Sequence, residues 1–412
     1  MTATRPIAID LFSGAGGMSL GLEQAGFDLV AAVEYDPVHA ATHLFNFPEC
    51  ATICASVSDV NGESIRDSAN IGSRTIDLVV GGPPCQGFST IGKRNVLDAR
   101  NNLVMDFQRI VVELNARSFI MENVPGMAMG AQGDVLAELV RRFNRDGYQV
   151  LPHALVTATS FGVPQKRKRL FLVGARIGEA LPRLPIGSSE ECPNVWDALG
   201  DLPDIEKYPE LSSRDWVKAR HYAPSRYASQ LRGELPGITD FSYKRLWDPS
   251  ILTSSAWTVH TPESIRRFRA TKPGEIEPIS RFLRLDPYGY CNTLRAGTDG
   301  KRGAYTSPRP IHPTEPRVIT VREGARLHSF PDWFRFHETK WHGFRQVGNS
   351  VAPLVGRAVG ASLLTSLDYK PVRPKRIVKL GDQWLLTLTM VEAAEYFQVP
   401  SDVVGSRDRR TA

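Results

Sequence analysis

A single cysteine follows two glycines and two prolines in the segment VVGGPPCQGFSTIG, residues 79–92. The aliphatic residues before Gly81 are typical of a buried strand, and Pro83 and Pro84 prevent a strand ladder from continuing to Cys85. A free cysteine is most often a small buried apolar residue. At a strand end before a polar loop, Cys85 is instead a candidate nucleophile, provided that neighbouring groups favour the thiolate and stabilise the charge that its attack creates.

Two other apolar, strand-like segments border groups that could act with such a thiol. FIMENVPG carries Glu122 and Asn123, and GVPQKRKRLFLVG carries Arg167 and Arg169. A carboxyl group beside two arginines is poorly suited to a protein core and common in active sites. The run KRKR alone is more typical of a solvated surface, so this interpretation depends on the other segments.

Glycines after the first apolar run indicate a cofactor site. In DLFSGAGG, Gly14 and Gly16 allow a ligand to approach the backbone at the start of a helix. Ser19 stands where the dinucleotide-binding pattern has its third glycine, which disfavours a pyrophosphate ligand. Glu34 follows roughly 20 residues later and is placed to accept hydrogen bonds from ribose hydroxyls. An adenosyl group without phosphates fits both observations; a tight turn with a solvated glutamate is the alternative.

These segments need a fold that brings strand ends together. From IAIDLF (7–12) to RLFLVGA (169–175), short aliphatic runs alternate with helical patterns, which predicts an α/β fold with a mostly parallel sheet and ligands at the carboxyl ends of its strands. Residues 185–310 lose this period and are rich in Pro, Gly, Tyr, Trp and Arg, as expected of a loop-rich second lobe. Regular apolar pattern returns at 321–334 and 347–367.

Composition limits the classes of protein. A chain of 412 residues exceeds one compact core, and 50 Lys and Arg against 44 Asp and Glu suit a polyanionic partner without requiring one. Five scattered cysteines and the absence of a signal-peptide pattern predict reduced thiols in the cytoplasm. No apolar run approaches the roughly 20 residues that span a bilayer. His39 and His43 lack an evident third ligand, so we expect a packed or solvated pair and no metal.

The motifs DLFSGAGG, GGPPCQGFS, MENVPG, PQKRKRLF, RVITVREGARLHSFPDWF and QVGNSVAP occur in the order found in DNA (cytosine-5)-methyltransferases, and the chain resembles this family across most of its length. The resemblance implies a Rossmann-like class I methyltransferase large domain and a smaller, irregular, β-containing target recognition domain. It also implies S-adenosylmethionine as cofactor, with no metal.

The resemblance further implies roles for the candidate catalytic residues. The Cys85 thiolate adds to C6 of cytosine, which makes C5 nucleophilic. Glu122 hydrogen-bonds N3 and the exocyclic amine and holds the neutralising proton, while Arg167 and Arg169 orient O2 and support the glutamate. Asn123 braces the cysteine loop. The base that removes the C5 proton stays unassigned, with a water as one alternative.

Cofactor contacts are implied for Phe12, Gly14, Gly16, Glu34, Pro84, Leu103, Asn349 and Ser350. The chain departs from the family where an aspartate usually binds the adenine amino group. Its sequence there is ASVSDV, which aligns Ser56 and Val57 with the family positions and puts Asp59 three residues later. Adenine recognition through Ser56, through Asp59 or through backbone alone is therefore left open.

The implied substrate is a cytosine flipped out of duplex DNA, because C5 and C6 are inaccessible within the base stack. The segment from Gln86 to about Arg100 resembles the loop that closes over the flipped base. Implied DNA contacts are Gln86, Ser89, Lys93, Arg94, Gln165 and Thr293. Arginines and aromatic residues of the irregular lobe are expected to read the sequence, although over half of the aromatics are expected in its core.

The predicted organisation is a catalytic and cofactor-binding domain at 1–184, a target recognition domain at 185–320, a return segment of the large domain at 321–368, and an extension of unknown role at 369–412. We expect a prokaryotic monomer acting on double-stranded DNA, alone or paired with a cognate restriction endonuclease. The alternatives are an RNA (tRNA) cytosine-5 methyltransferase, against which the length of the irregular lobe argues, and a catalytically inactive DNA-binding protein.

Overall fold

The structure is a computed structural model that describes residues 5–84, 99–187, 192–235, 237, 239–297 and 309–401. Cys85, Gln86, Ser89, Lys93 and Arg94 lie outside these residues, so what the sequence indicates about them stays a prediction. Within the described ranges, no helix has the length and apolar character needed to cross a membrane.

The strands in chain order are β1 (Ile7–Leu11), β2 (Asp28–Glu34), β3 (Ala51–Cys54), β4 (Leu78–Gly81), β5 (Ser118–Asn123), β6 (Tyr148–Val150), β7 (Ala154–Thr157), β8 (Gln165–Lys166), β9 (Lys168–Arg176), β10 (Val217–Lys218), β11 (Lys244–Leu246), β12 (Ile251–Leu252), β13 (Cys291–Asn292) and β14 (Ile377–Lys379). The helices are α1 (Gly17–Ala25), α2 (Pro37–Asn46), α3 (Gly62–Ser68), α4 (Ala99–Glu113), α5 (Ala131–Arg145), α6 (Val195–Leu199), α7 (Arg226–Leu231), α8 (Pro262–Ala270), α9 (Val321–Leu327), α10 (Lys340–Asn349), α11 (Pro353–Ser366) and α12 (Met390–Phe397). Short 3-10 turns connect several of them.

The main sheet has the order β3-β2-β1-β4-β5-β9-β6, and β7 also pairs with β9. Strands β1 to β5 are parallel, whereas β9 runs antiparallel to β5. Every residue of β1, β4 and β5 is buried, as expected for strands covered by helices on both faces. The α/β fold with a mostly parallel sheet, predicted from the alternating pattern, and the Rossmann-like fold that the family resemblance implied are thus confirmed. The carboxyl ends of β1, β2, β4 and β5 meet at one edge.

Both faces of the sheet are covered. One apolar core joins the sheet to α4 and α5 through Phe107, Phe119 and Phe143. The other joins it to α1 and α11, where Leu22 and Val359 are fully or almost fully buried. Helix α1 lies very close to α11, because a Cβ on Gly21 would come within 2.7 Å of the Gly356 Cα. The last part of the large domain therefore packs directly against its first helix.

The irregular lobe consists of short elements, among which β10 pairs with β12 and β13 pairs with β8. Its core contains residues of α6 and α7 together with Ile319, Phe330, Phe334 and Val347. Residues of the segment 319–347 thus pack in one apolar core with residues of the lobe. The domain limits stay predictions.

The segment after α11 is packed against the rest of the chain. Strand β14 pairs in parallel with β11 of the irregular lobe. Leu385 and Leu386 are buried against Val38 and Phe45 of α2. The described part of the extension, up to residue 401, therefore belongs to the folded body.

Candidate active site

A cavity of about 790 Å³ opens at the carboxyl edge of the sheet. The predicted site residues that line it are Phe12, Gly14, Glu34, Ser56, Val57, Pro84, Leu103, Glu122, Asn123, Arg169, Asn349 and Ser350. Asp59 lines it as well. One cavity therefore collects most of the predicted catalytic groups and most of the predicted cofactor contacts, from segments more than 300 residues apart in the chain.

Glu122 lies near the end of β5 and is 9% exposed. Its Oε1 accepts an ion-paired hydrogen bond from Arg169 Nε at 2.8 Å. Burial raises the pKa of Glu122, and the charges of Arg169 and Arg167 oppose this rise without cancelling it. Gly82 leaves room for this carboxyl group, since a Cβ there would lie 3.1 Å from Glu122 Oε2, a tight contact. Burial thus increases the affinity of this cavity-facing carboxyl group for a proton.

Asn123, the last residue of β5, fixes the backbone just before Cys85. Its Nδ2 donates to the carbonyl oxygen of Pro83 at 2.9 Å, and its Oδ1 accepts from the Val124 amide, also at 2.9 Å. The side chain is 5% exposed. Asn123 is therefore a positioning residue for the strand end that leads to Cys85.

Arg167 and Arg169 separate in the structure. Arg169 lines the cavity, but Arg167 is 2% exposed and does not line it. The guanidinium of Arg167 donates at 2.8–3.0 Å to backbone carbonyl oxygens of Leu294, Gly348 and Ser350. Contrary to expectation, only Arg169 is placed to face a base, and Arg167 joins the lobe to the segment beside the cavity.

Gln165, predicted to contact DNA, is fully buried. Its Nε2 donates to His328 Nδ1 at 2.9 Å and to the Leu327 carbonyl oxygen at 3.2 Å, and its Oε1 accepts from the Leu294 amide at 3.1 Å. All of its hydrogen-bonding groups are thus engaged inside the protein, which corrects its assignment as a DNA contact. Thr293 is half-buried, and its hydroxyl donates to the Lys166 carbonyl oxygen.

The different surroundings of Arg167 and Arg169 predict different phenotypes for their variants. Arg167→Met leaves three buried carbonyl oxygens without their donor, so we expect the free energy of unfolding to fall by about 3 kcal/mol or more. Arg169→Met removes one partner of a carboxyl group at the cavity wall, so we expect a stable protein with impaired catalysis. Urea unfolding of both variants beside the wild type tests this. Equal stability of the two variants would contradict the assignment of Arg167 as a brace.

Glu34 ends β2 at the opposite side of the cavity. Its Oε2 accepts from the Gly14 amide at 2.7 Å and its Oε1 from the Asp36 amide at 2.8 Å. Burial raises the pKa of Glu34 to about 7. Gly16 does not line the cavity; it has φ +102°, and a Cβ there would overlap the Phe47 ring. Gly16 therefore shapes the turn that presents Gly14.

Other cavity residues were not predicted as cofactor contacts. Asp36 caps α2, and its carboxylate pairs with Arg345 at 3.2 Å. Burial acts to raise the pKa of Asp36, but the charges of His39 and Arg345 outweigh it and lower the pKa. The sequence Asp36-Pro37 is typical of a helix N-terminus and could have identified Asp36 as a helix cap. Nothing in the sequence around Arg345 indicates that its side chain reaches the cavity.

His39 lines the cavity, and His43 packs behind it. Within the described residues, the buried atoms His39 Nε2 and Ser13 Oγ have no hydrogen-bond partner. His43 contacts the hydroxyls of Ser19 and Thr52 through its two ring nitrogens. No group of three metal-ligating side chains occurs in the described part of the chain.

These residues fit an adenosyl ligand better than a nucleotide phosphate. Asp10, Glu34 and Asp36 surround one end of the cavity, and burial raises the pKa of Asp10 to about 7. Carboxyl groups accept hydrogen bonds from hydroxyl and ammonium groups and repel phosphates. The unpartnered Ser13 hydroxyl and His39 nitrogen offer further hydrogen-bonding groups. Ser56 and Asp59 both line the cavity, so adenine recognition through Ser56, through Asp59 or through backbone alone stays open.

The sheet order and the cavity at its carboxyl edge define a Rossmann-like fold. A solved DNA modification methyltransferase of similar sequence shares this fold, so the class is that of the Rossmann-like methyltransferases. The family model described as C-5 cytosine-specific DNA methylase matches residues 7–365. The chain therefore belongs to the C-5 cytosine-specific DNA methylase family and is a DNA cytosine-5-methyltransferase.

Known relatives extend over nearly the whole chain. It is 56% identical over 407 residues to the type II methyltransferase M.XorII of Xanthomonas oryzae pv. oryzae, which covers 98% of this chain and 96% of that protein. It is 32% identical over 361 residues to M1.HphI of Haemophilus parahaemolyticus, with 86% of each chain covered. A solved candidate DNA modification methyltransferase encoded within an E. coli prophage has a TM-score of 0.75 and 36% identity, covering 88% of this chain and 99% of that one.

Proposed function

We propose that this protein transfers a methyl group from S-adenosylmethionine to C5 of a cytosine within one short sequence of duplex DNA, with the target base flipped into the cavity. The observation that carries the proposal is the buried Glu122–Arg169 pair. It faces the same cavity as Glu34 and as Pro84, the residue before Cys85. The residues proposed to bind the cofactor and those proposed to bind the base thus line the same cavity.

The proposed chemistry starts with the cysteine. The Cys85 thiolate forms a bond to C6 of the flipped cytosine, and the C5–C6 π electrons move toward C5 while the carboxyl of Glu122 holds a proton at N3. The Arg169 guanidinium, beside Glu122, is placed to bind the base at O2. When bound, S-adenosylmethionine supplies an electrophilic methyl group for C5. A base then takes the C5 proton, the double bond re-forms, and the thiolate leaves.

The residues that would hold the cofactor are those of the Glu34 end of the cavity. Glu34 would accept from the ribose hydroxyls, Ser56 or Asp59 would contact adenine, and Asn349 with Ser350 would border the ligand from α10. Family members use S-adenosylmethionine, which supports this assignment.

The raised pKa of Glu34 predicts that the affinity for the cofactor depends on pH. The ionised carboxylate accepts from hydroxyls more strongly than the protonated form, and its pKa is raised to about 7. Affinity for S-adenosylhomocysteine should therefore fall as the pH drops through that value. Glu34→Gln should bind about tenfold more weakly or worse, with a smaller pH dependence. Asp10 at the same end of the cavity also has a pKa of about 7, so Asp10→Asn is titrated beside it. Calorimetric titration across the range tests both variants, and a dependence in Glu34→Gln equal to that of the wild type would contradict the assignment.

The substrate proposal can be tested in cells. Bisulfite sequencing of DNA from a host lacking cytosine methylation, with and without this gene, should reveal protected cytosines in one recurring context. Protection of tRNA cytosines in place of DNA would support the RNA alternative, against which the long irregular lobe argues.

The names of the type II relatives support a pairing with a restriction endonuclease that acts on the same site. We also propose that the enzyme is a monomer.

A further inference from the structure

The irregular lobe contains a hairpin at residues 274–284 that presents apolar side chains to solvent. Backbone hydrogen bonds join Gly274 and Glu275 to Arg284, each at 2.8 Å, and a third joins the Glu277 amide to the Phe282 carbonyl oxygen at 2.8 Å. Ile276 and Ile279 are 59% and 69% exposed. Two exposed isoleucines three positions apart on one short hairpin make it a candidate contact surface.

The hairpin is held rigidly. The Glu277 carboxylate, whose side chain is 1% exposed, accepts from the amides of Ile279 and Ser280 and pairs with Arg267 Nε of α8 at 3.3 Å. Its base is anchored by the Arg284 guanidinium, which donates to the carbonyl oxygens of Phe268, Arg269, Thr271, Pro313 and Thr314. A turn fixed in this way loses little conformational entropy when it binds.

Arg281 is the exposed cation of this turn. Its backbone has φ +60°, a left-handed conformation that costs a non-glycine residue about 1 kcal/mol or more. In the described ranges it forms no ion pair, and the same holds for the exposed Arg266, Arg269 and Lys272 beside it. The hairpin also exposes one carboxylate, Glu275. Two exposed isoleucines beside unpaired arginines offer apolar contacts for thymine methyl groups together with donors for guanine acceptors and phosphates, which suits the major groove of DNA.

The hairpin has a fixed connection to the active site. After the turn at residues 286–289, β13 pairs with β8, and Thr293 donates to the Lys166 carbonyl oxygen. The next residue, Leu294, is bound by Arg167, which lies two residues before Arg169. The hairpin therefore keeps its position relative to the cavity that would receive the flipped base.

We propose that the hairpin 274–284 enters the major groove beside the target cytosine and reads the neighbouring bases. Arg281 donates to guanine O6 and N7, and Ile276 and Ile279 contact thymine methyl groups. The major groove admits a two-stranded ribbon and displays these acceptors and methyl groups together. The inference rests on the proposed function, since it takes duplex DNA as the substrate.

The test measures sequence preference separately from methyl transfer. Wild type, Ile279→Ala and Arg281→Ala are each used with S-adenosylhomocysteine to select duplexes from a random pool. Ile177→Ala and Arg141→Ala are matched controls, because they remove an exposed isoleucine and an exposed arginine from the large domain. We expect each hairpin variant to lose about tenfold to hundredfold discrimination at one base pair of the selected sequence, and the controls to match the wild type.

Modified bases then identify the contact. Replacing thymidine by deoxyuridine should weaken binding by the wild type but leave binding by Ile279→Ala unchanged. Replacing guanine by 7-deazaguanine should weaken binding by the wild type but leave binding by Arg281→Ala unchanged. Uniformly weaker binding to every sequence, or unchanged selection, would overturn the inference, as would a wild type that selects no sequence. A selected duplex that is bound but never methylated contradicts the proposed function and leaves the hairpin assignment standing.

Discussion

Cys85→Ala is expected to lower methyl transfer by at least about 10³-fold, the scale on which loss of an enzyme nucleophile acts, while S-adenosylhomocysteine binds as in the wild type. The sequence predicts Cys85 as the nucleophile, and the cavity wall extends to its neighbour Pro84. Cys85→Ser should be nearly as inactive, because a hydroxyl is a far weaker nucleophile at neutral pH.

The measurement is the initial rate of tritium transfer from labelled cofactor to duplex DNA. Cys192→Ala is the matched control, since this half-buried thiol contacts the Val163 carbonyl oxygen and does not line the cavity. DNA with 5-fluorocytosine at the target should form a covalent adduct with the wild type only. Appreciable turnover by Cys85→Ala would exclude the thiolate mechanism.

Glu122→Gln should lower kcat by about 10²–10⁴-fold, because glutamine keeps the shape of the side chain but cannot hold a transferable proton. In the proposed mechanism the reaction needs the protonated carboxyl of Glu122, and burial raises the pKa of this group. The wild-type rate should therefore fall as the pH rises through that raised pKa. Glu138→Gln, on the exposed face of α5, is the control and should leave kcat unchanged.

Arg169 gives this prediction a second readout. Its charge lowers the pKa of Glu122, so Arg169→Met should raise that pKa further and move the alkaline fall in rate to higher pH, even though the overall rate is reduced. A pH profile that keeps its midpoint in Arg169→Met would show that the titrating group is not Glu122.

The sequence was sufficient to predict the sheet and its functional edge, because each motif borders an aliphatic run and parallel strands bring their carboxyl ends together. It could not separate Arg167 from Arg169. Two positions apart on one regular strand, both side chains would share a face. The chain instead ends β8 at Lys166 and resumes as β9 at Lys168, so Arg167 falls at the break.

Other features were beyond a sequence reading for different physical reasons. The strands of the irregular lobe have two or three residues, too few for an alternating pattern to show. The pairing of β14 with β11 joins segments more than 130 residues apart and follows from tertiary packing alone. The family resemblance implied a DNA contact for Gln165, but its side chain is bound by His328 and Leu294, both distant in the chain.

The packing of α1 against α11 has a consequence for biosynthesis. The first helix to leave the ribosome finds its apolar partner only after residues 353–366 have been made, because Leu22 and Phe27 are buried beside α11. Asn349 and Ser350, which close the cavity, come from the same late part of the chain. A chain that stops before residue 349 therefore lacks part of the cavity wall, so the cavity can be completed only after this late segment has been translated.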